Sequence, residues 1–407
     1  MIEKLRKDAE MIMNYSISKV MPEETVINGL QSFVLPEGRV ILVSIGKAAW
    51  HMANTAVQKV KVDTGIVITK YGHIYGEIEG VTCFEAGHPL VDENSIATSE
   101  EAVKLVENLT EKDIVLLLVS GGASALFEKP LISLDELRKV NDQLLKCGAD
   151  IHEINAIRKR LSSVKGGKFA KICEPAHVYS ILLSDVLGND PSVIGSGPST
   201  PDSSTCEEVA GIVDKYGLQF SERVNELLKK ETPKTLENVE TYIGGSVDQL
   251  CAAASEICSE LDYETKVITT SLQSEASLAG IELANMIETV TVPTAIIEGG
   301  ETVVHVKGSG LGGRNQELAL SACDAVAGKN ACVFSFSSDG TDGPTDAAGG
   351  YVDGESRNDF LKQGIDYREY LSNNDSYNAL KLIDGLLITE PTGTNVNDVS
   401  IALILPE

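Results

Sequence analysis

The chain has 407 residues, of which 43% are hydrophobic and 23% charged, a composition typical of a globular protein. This length exceeds what one ordinary core accommodates and predicts two domains, or three. The net charge of −26 argues against nucleic acid and anionic membranes as partners, because long-range repulsion would oppose their approach. An anionic substrate must therefore find a local basic pocket.

The sequence also predicts a cellular location. The first twenty residues carry acids and bases through an amphipathic helical pattern and lack the apolar core of a signal peptide. The longest uncharged apolar run, residues 114–127, is too short to span a bilayer. The eight cysteines form no C-x-x-C pair and are expected to be reduced thiols. We expect a cytosolic protein, with a homodimer as one possible assembly.

The first βα turn carries a lysine. A buried strand is predicted over residues 39–46, and it runs through Gly46 and Lys47 into a helix that ends near residue 61. A cation at the positive end of a helix is unusual, so Lys47 either faces solvent or binds phosphate. Short strands at 64–70 and 81–87 follow, and Asp92 is predicted to cap a helix that ends near residue 108.

Residues 113–120 form the most continuously apolar segment, as a central parallel strand should. The segment opens into Gly121, Gly122, Ala123 and Ser124. Open α/β sheets bind ligands at the carboxyl ends of their strands. This loop is therefore a second candidate phosphate cradle.

Residues 158–171 contain six basic side chains in fourteen positions, where the chain average would give about one. Such a run is often a solvated helix face. We favour a functional interpretation, because a phosphate site in an acidic protein needs local positive potential.

The next predicted strand, residues 177–185, ends at a group of carboxylates and glycines. Asp185 is the last residue of this predicted strand, and Asp190 and the loop Gly195, Ser196 and Gly197 follow it. Magnesium takes one or two carboxylates together with phosphate oxygens and water. Asp185 and Asp190 are therefore the metal candidates of the first half of the chain.

A polar segment at residues 231–240 marks the approximate domain boundary, which we place between domains 1–236 and 237–407. Beyond it we predict a helix over 274–288, strands over 265–270, 295–299, 302–306, 331–337 and 399–405, and a helix over 316–326.

The densest glycine cluster places six glycines in the fifteen residues 299–313, among them Gly310, Gly312 and Gly313. Arg314 follows at the predicted helix start, where backbone N–H groups and its guanidinium would suit phosphate or carboxylate. A glycine-rich hairpin remains open. So does dinucleotide binding, since residues 308–313 formally satisfy G-x-G-x-x-G, although the expected acid is displaced.

The loop at 338–346 holds Asp339 and Asp342, which either contribute to a metal site or form Asx turns. No Walker P-loop and no H-E-x-x-H motif occurs, and the six histidines lack partners at ligand spacing.

Several motifs together resemble the glycerate 2-kinase family that carries the MOFRL domain. They are SIGKAA at 44–49, GHP at 87–89, LVSGGASAL at 118–126, SDVLGNDPSVIGSGPS at 184–199, GGET at 299–302, GLGGRNQELAL at 310–320, SSDGTDGPTDAAGG at 337–350, NNDSY at 373–377 and TGTNVNDV at 392–399. The resemblance implies an α/β fold of two domains. The N-terminal one would be Rossmann-like with a mainly parallel sheet, the C-terminal one a smaller MOFRL-type α/β domain, and the active site would lie in the cleft between them.

The resemblance also implies a reaction, the ATP- and Mg²⁺-dependent phosphorylation of D-glycerate at its 2-hydroxyl to give 2-phosphoglycerate and ADP. It implies catalytic roles for Lys47, Arg314, Asp185 and Asp190. Binding residues would be Gly46, Gly121, Gly122, Ala123, Ser124, Gly195, Ser196, Gly197, Gly310, Gly312, Gly313, Asn315 and Asn395, and metal ligands Asp185, Asp190, Asp339 and Asp342. Ala123 departs from the third glycine that many members have there, which would narrow the room for phosphate.

Two other functions stay open at this stage. Some family members have been labelled hydroxypyruvate reductases, so an NAD(P)H-dependent hydroxypyruvate reductase is the alternative enzyme, and it would need a proton donor such as a histidine beside the hydride site. A non-catalytic sugar-acid sensor would need only a binding site.

Overall fold

The computed structural model describes residues 1–406, and the chain divides into two compact units. Thr25–Gly244 form the N-terminal unit, and Met1–Glu24 form the C-terminal unit together with the chain from Gly245 onward. The boundary predicted from sequence, after residue 236, lies before the observed one, after Gly244. The prediction also assigned the first 24 residues to the N-terminal domain. They belong to the C-terminal unit because helix α1 (Ile2–Lys19) buries its apolar face, including Leu5 and Ile12, against elements of that unit.

The N-terminal unit is built on six parallel strands. They are β1 (Arg39–Ile45), β2 (Thr64–Lys70), β3 (Val81–Ala86), β4 (Asp113–Val119), β5 (His177–Leu183) and β6 (Val239–Gly244). Their order is β3-β2-β1-β4-β5-β6, and the chain reverses direction across the sheet between β1 and β4. Doubly wound folds bind ligands at this switch point. Every residue of β4 is buried, which confirms its predicted central position.

The N-terminal unit also contains nine helices. They are α2 (Pro22–Ser32), α3 (Ala49–Lys59), α4 (Glu93–Val106), α5 (Ala123–Leu126), α6 (Leu134–Lys146), α7 (Ile151–Leu161), α8 (Lys168–Ile172), α9 (Cys206–Tyr216) and α10 (Glu222–Leu228). Of these, α6, α7, α9 and α10 pack on one another in a hydrophobic cluster of their own. The predicted cap of α4 is confirmed, since the Asp92 carboxylate accepts from the backbone N–H of Ser95 at 2.8 Å. The core packs strand side chains such as Val43 and Leu117 against α4 and α8.

The C-terminal unit holds a second six-stranded sheet in the order β11-β10-β9-β12-β8-β7. Its strands are β7 (Glu264–Leu272), β8 (Thr294–Gly300), β9 (Ala331–Ser337), β10 (Gly349–Asp353), β11 (Leu386–Leu387) and β12 (Asp398–Ile404). Only β7 and β8 pair in parallel. The predicted pair of α/β domains, the first with a mainly parallel sheet, is thus confirmed.

The remaining helices belong to the C-terminal unit. They are α11 (Val247–Glu260), α12 (Ala276–Asn285), α13 (Arg314–Ser321), α14 (Cys323–Val326), α15 (Ser356–Lys362), α16 (Tyr367–Ser372) and α17 (Ser376–Leu382), and short 3₁₀ turns occur at Ile194–Ser196 and Met286–Thr289. Helix α1 packs on α11 and β9. No helix within residues 1–406 has both the length and the apolar character needed to cross a membrane.

The strand predicted over residues 302–306 is wrong. Only an isolated bridge joins Val303 to Glu275, and the remainder has no regular structure. Alternating β-branched residues favour a strand locally, but a strand also needs a pairing partner and a face to bury. Val306 is 74% exposed instead.

Helices α12 and α13 pack closely, and two helical glycines allow a matched test of that contact. A Cβ on Gly280 of α12 would lie 2.0 Å from the Leu318 carbonyl oxygen of α13, whereas Gly211 of α9 faces open space. We expect Gly280→Ala to destabilise the protein by about 1–3 kcal/mol, because the two helices must separate. Gly211→Ala should stabilise it by about 0.5–1 kcal/mol through helix propensity. Urea unfolding of both variants measures the difference, and equal effects would contradict the close helix approach.

Candidate functional site

Two loops touch at the switch point of the N-terminal sheet. The backbone N–H of Lys47 donates to the Gly121 carbonyl at 2.9 Å, and that of Ala48 donates to the Ser120 hydroxyl at 3.1 Å. Gly46 has φ +120°, and a Cβ there would lie 2.2 Å from Ser120 Oγ. Glycine at position 46 therefore lets the ends of β1 and β4 meet.

Three polar side chains surround the glycine pair that follows β4. A Cβ on Gly121 would lie 2.3 Å from Asp185 Oδ2 and 3.5 Å from Lys47 Cε. A Cβ on Gly122 would lie 2.9 Å from the His88 ring and 3.2 Å from Lys47 Cγ. The structure thus brings Lys47 and Asp185 together, as the sequence-based hypothesis requires. It adds His88, one of the six histidines that lack a partner at ligand spacing in the sequence, although it stands in the GHP motif.

The His88 imidazole is poised to be neutral near pH 7. Burial lowers its pKa, and the positive charge of Lys47 lowers it further. A neutral imidazole can accept a hydrogen bond or a proton from a ligand.

The other predicted loop, residues 195–197, contacts Ala123 and Ser124, which follow the glycine pair. Ser196 Oγ is 3.2 Å from Ser124 Oγ and 3.1 Å from Asn155 Oδ1, and Ser196 is fully buried. A Cβ on Gly195 would lie 3.0 Å from the Ala123 methyl group, which is itself buried. The Ala123 side chain therefore packs against Gly195 within the fold, and its extra methyl contacts protein.

The two acids of the Asp185 loop differ in how they are held. Asp190 Oδ1 accepts from the Ser192 N–H at 2.8 Å, and Oδ2 lies 3.8 Å from the exposed His152. Asp185 reaches the glycine pair directly, in the space that a side chain at position 121 would fill. Among residues 1–406 no group of three or more His, Cys, Asp or Glu side chains is placed to hold a metal. Magnesium with a nucleotide needs only one or two carboxylates, and Asp185 fits that need.

Most of the basic run at residues 158–171 is structural. Lys159 and Arg160 pair with the buried Asp202 at 3.3 and 3.4 Å. The remaining pairs are Lys165 with Glu128, Lys171 with Glu174, and Lys168 with the carbonyl oxygens of Lys159 and Ser162. Burial lowers the pKa of Lys168 to about 8. Arg158 differs, because its Nε donates to Asn141 Oδ1 at 2.7 Å and no carboxylate among residues 1–406 lies within 4.0 Å of its guanidinium.

In the C-terminal unit, the glycine cluster serves chain packing. A Cβ on Gly308 or Gly310 would lie 2.2–2.7 Å from backbone or Cβ atoms of Asn373 and Asp375, and one on Gly312 would lie 2.2 Å from the Ser376 hydroxyl. The segment crosses the 373–376 loop instead of forming a strand-to-helix turn in a parallel βαβ unit. The dinucleotide interpretation of G-x-G-x-x-G, and with it the sequence basis for the reductase alternative, is therefore not supported.

Arg314 is the first residue of α13, and its guanidinium is hydrogen-bonded to two carboxylates. Its Nε and Nη2 donate to the Asp398 carboxylate at 2.5 and 3.1 Å, and Nη1 donates to Glu301 at 2.8 Å. Burial alone would lower the pKa of Arg314, but the pairing with Asp398 raises it. Burial also raises the pKa of Asp398. Three of the five guanidinium N–H bonds are used, so two remain for a ligand.

The acids of the 338–346 loop hold local structure. The buried Asp342 carboxylate accepts from the backbone N–H groups of Asn315 and Gln316 at 3.2 and 2.9 Å and so caps α13. Burial raises the Asp342 pKa to about 6. Asp339 accepts from the Thr341 N–H at 2.9 Å, which is the Asx-turn alternative. Asn395 closes a similar turn by accepting from the Asn397 N–H at 3.3 Å.

An open cavity of about 860 Å³ adjoins this region. Its lining includes Gly310, Gly312, Gly313, Arg314, Glu301 and Glu317. The two acids and the Arg314 pairs leave it without net positive charge, so an anion here would be bound through individual hydrogen bonds rather than through the local potential.

Comparison with known proteins places this geometry in a family. Residues 8–229 match the family described as Domain of unknown function (DUF4147), and residues 294–398 match the MOFRL family. A D-glycerate 2-kinase of Thermotoga maritima is 50% identical over 99% of both chains. The crystal structure of a glycerate kinase from Thermotoga maritima has a TM-score of 0.96 at 49% identity, covering 99% of this chain and 100% of the other. A glycerate 2-kinase of Pyrococcus horikoshii is 39% identical, over 95% of this chain and 91% of its own.

Fold and relatives together define a phosphotransferase built of two α/β units. Within that class, the chain belongs to the family of glycerate 2-kinases that carry the MOFRL domain.

The buried Asp202 explains why much of the basic run is structural, and it gives a test. Burial alone would raise its pKa, but Lys159 and the hydroxyl donors lower it below 3.8. We expect Asp202→Ala to destabilise the protein by about 3–5 kcal/mol, because Lys159 would stay buried without its carboxylate and Arg160 would keep only Glu231, at 3.3 Å. In the wild type, the stability that comes from this lowered pKa should be lost as the pH falls from 3.8 through the pKa of Asp202 in the folded protein.

The matched control is Asp135→Ala, which removes an 85% exposed acid 3.7 Å from Arg138. It should change the free energy of unfolding by less than about 0.5 kcal/mol. Equal effects of the two substitutions in urea titrations would show that the run is a solvated face.

Proposed function

We propose that this enzyme transfers the γ-phosphoryl group of ATP to the 2-hydroxyl of D-glycerate, giving 2-phosphoglycerate and ADP. The observation that carries the proposal is the convergence of Lys47, Asp185 and His88 on the bare backbone at Gly121 and Gly122. It is supported by relatives that bear the names D-glycerate 2-kinase and glycerate 2-kinase. ATP and glycerate are accordingly the small-molecule partners.

The chemistry breaks the bond between the γ-phosphorus and its bridging oxygen and forms a bond from that phosphorus to the glycerate 2-oxygen. The glycerate hydroxyl loses its proton. Such a transfer depends on positioning and charge neutralisation more than on covalent participation by the protein. Lys47 would neutralise phosphoryl oxygens, and the small glycine pair would let phosphate approach the backbone.

Asp185 is the residue that would hold Mg²⁺, with Asp190 on the same loop as the next candidate. Bound there, the ion would neutralise charge on the phosphate oxygens. His88, kept neutral by burial and by Lys47, could accept the hydroxyl proton. Asp339 and Asp342 are poorer ligand candidates, since their carboxylates already serve backbone N–H groups.

Arg314 remains a proposed catalytic residue through its two N–H bonds not used by Asp398 and Glu301. The proposed location is the cytosol, supported by eight free cysteines and by a net charge that disfavours nucleic acid and anionic membranes.

The test incubates the enzyme with D-glycerate, ATP and Mg²⁺ and identifies the product by ³¹P NMR. We expect the 2-phosphate monoester and ADP, with no turnover after complete chelation by EDTA. A 3-phosphate product would contradict the regiochemistry, and activity in EDTA would remove the metal. NADH oxidation with hydroxypyruvate, without phosphoryl transfer, would favour the reductase alternative.

Lys47 gives the sharpest mutational prediction for this reaction. Lys47→Met should lower kcat by about a hundredfold or more with the fold intact, since one preorganised charge in a water-poor site contributes several kcal/mol to transition-state stability. Lys61→Met removes a 91% exposed lysine from the same unit and should leave kcat unchanged. Circular dichroism checks folding, and a near-normal kcat for Lys47→Met would exclude this lysine from the mechanism.

A further inference from the structure

A separate cavity of about 610 Å³ lies within the N-terminal unit and begins at the glycine pair. Gly122 and Ser124 line one end, and His88 and Leu90 form a side. One face of α6 forms another wall through Leu137, Arg138, Asn141 and Leu145, spaced so that they follow one helix face. Arg158 closes the lining near Asn141.

Two arginines line this cavity: Arg138 lies 3.7 Å from the Asp135 carboxylate, whereas Arg158 has no carboxylate partner among residues 1–406. Burial lowers the pKa of the Arg158 guanidinium, with only a distant counter-effect from Glu128. The neighbouring Lys165 is neutralised by Glu128 at 2.8 Å, and the lining residue Asp142 by Lys146 at 2.8 Å. A half-buried guanidinium with four N–H bonds lacking a protein partner calls for an anionic ligand group.

The apolar part of the cavity indicates how large that ligand is. Leu90 and Leu145 are 74% and 66% exposed, and Leu137, which also lines the cavity, is buried. Glycerate has three carbons, each bearing oxygen, and offers no apolar face to cover these leucines. A purine base offers a large one, and cavities of this size commonly enclose ligands of nucleotide dimensions.

We propose that this cavity holds the nucleotide, with the base against the leucines of α6 and Arg158 bound to a phosphate oxygen. The assignment rests on the proposed kinase function and specifies which unit binds ATP. The phosphate chain would then run toward Gly122, where a Cβ would lie 3.2 Å from Lys47 Cγ. Arg158 is a nucleotide-binding residue in this scheme, and the acid substrate does not occupy the cavity.

The test measures ADP binding by isothermal titration calorimetry, so that it does not depend on turnover. Arg158→Ala should raise the Kd of ADP and the KM of ATP about tenfold or more, because a charge-assisted hydrogen bond is lost. The KM of glycerate should not change. Arg223→Ala removes an exposed arginine from the same unit, away from the cavity, and is the matched control.

Leu145→Asn distinguishes binding of the base from binding of the phosphates. Because Leu145 is exposed, the substitution should leave folding intact. It should raise the Kd of ADP about threefold or more and leave that of inorganic tripolyphosphate unchanged, whereas Arg158→Ala should weaken both. A raised KM for glycerate with unaltered ADP binding would assign the cavity to the acid and overturn the inference. Unaltered binding of ADP in both variants would overturn it too. If the wild type binds ADP but does not phosphorylate glycerate, the proposed function fails while this assignment stands.

Discussion

The N-terminal site depends on the contact between the backbones that follow β1 and β4. Any side chain at position 46 would collide with Ser120, and one at position 121 would displace the Asp185 carboxylate. With glycine at both places, the Lys47 N–H reaches the Gly121 carbonyl, and the two loops are fixed relative to each other by a hydrogen bond. Lys47 and Asp185 can then approach one stretch of bare backbone, which is the geometry that phosphoryl transfer requires.

The C-terminal unit orders its loops by a different interaction. Here glycines let two chain segments pass closely, and ion pairs fix the Arg314 side chain. Asp398 is the first residue of β12 and accepts two hydrogen bonds from Arg314. Asp342 caps the helix that begins at Arg314. The guanidinium is thereby oriented before any ligand arrives, and orientation in advance is what reduces the entropic cost of binding.

Much of the fold could be predicted because its signals are local. The apolar run at 113–120, the strand ending at Lys47 and the cap at Asp92 each depend on neighbouring residues alone. The errors arise where a distant partner decides. Residues 302–306 have the composition of a strand, but they pair with another segment only through the isolated bridge at Val303.

The same distinction applies to the site. The sequence could place Lys47, Gly121 and Asp185 at the ends of parallel strands, so their convergence followed from topology. It could not show that the glycines near 310 exist to admit the 373–376 loop, nor that the Ala123 methyl points at Gly195. It also left His88 without a role, because its neighbours Lys47 and Gly122 come from other strands.

Charge gives the clearest case of what composition conceals. A run of six cations in a chain of net charge −26 suggests a basic patch, yet potential at a ligand depends on cations that lack a partner. Asp202, Glu128 and Glu174 neutralise four of the six, and carbonyl oxygens hold a fifth. The buried pairs position α7 and α8, and with them the remaining arginine at the cavity. The cations that fold this segment therefore differ from the one that can bind an anion, although all six are indistinguishable in sequence.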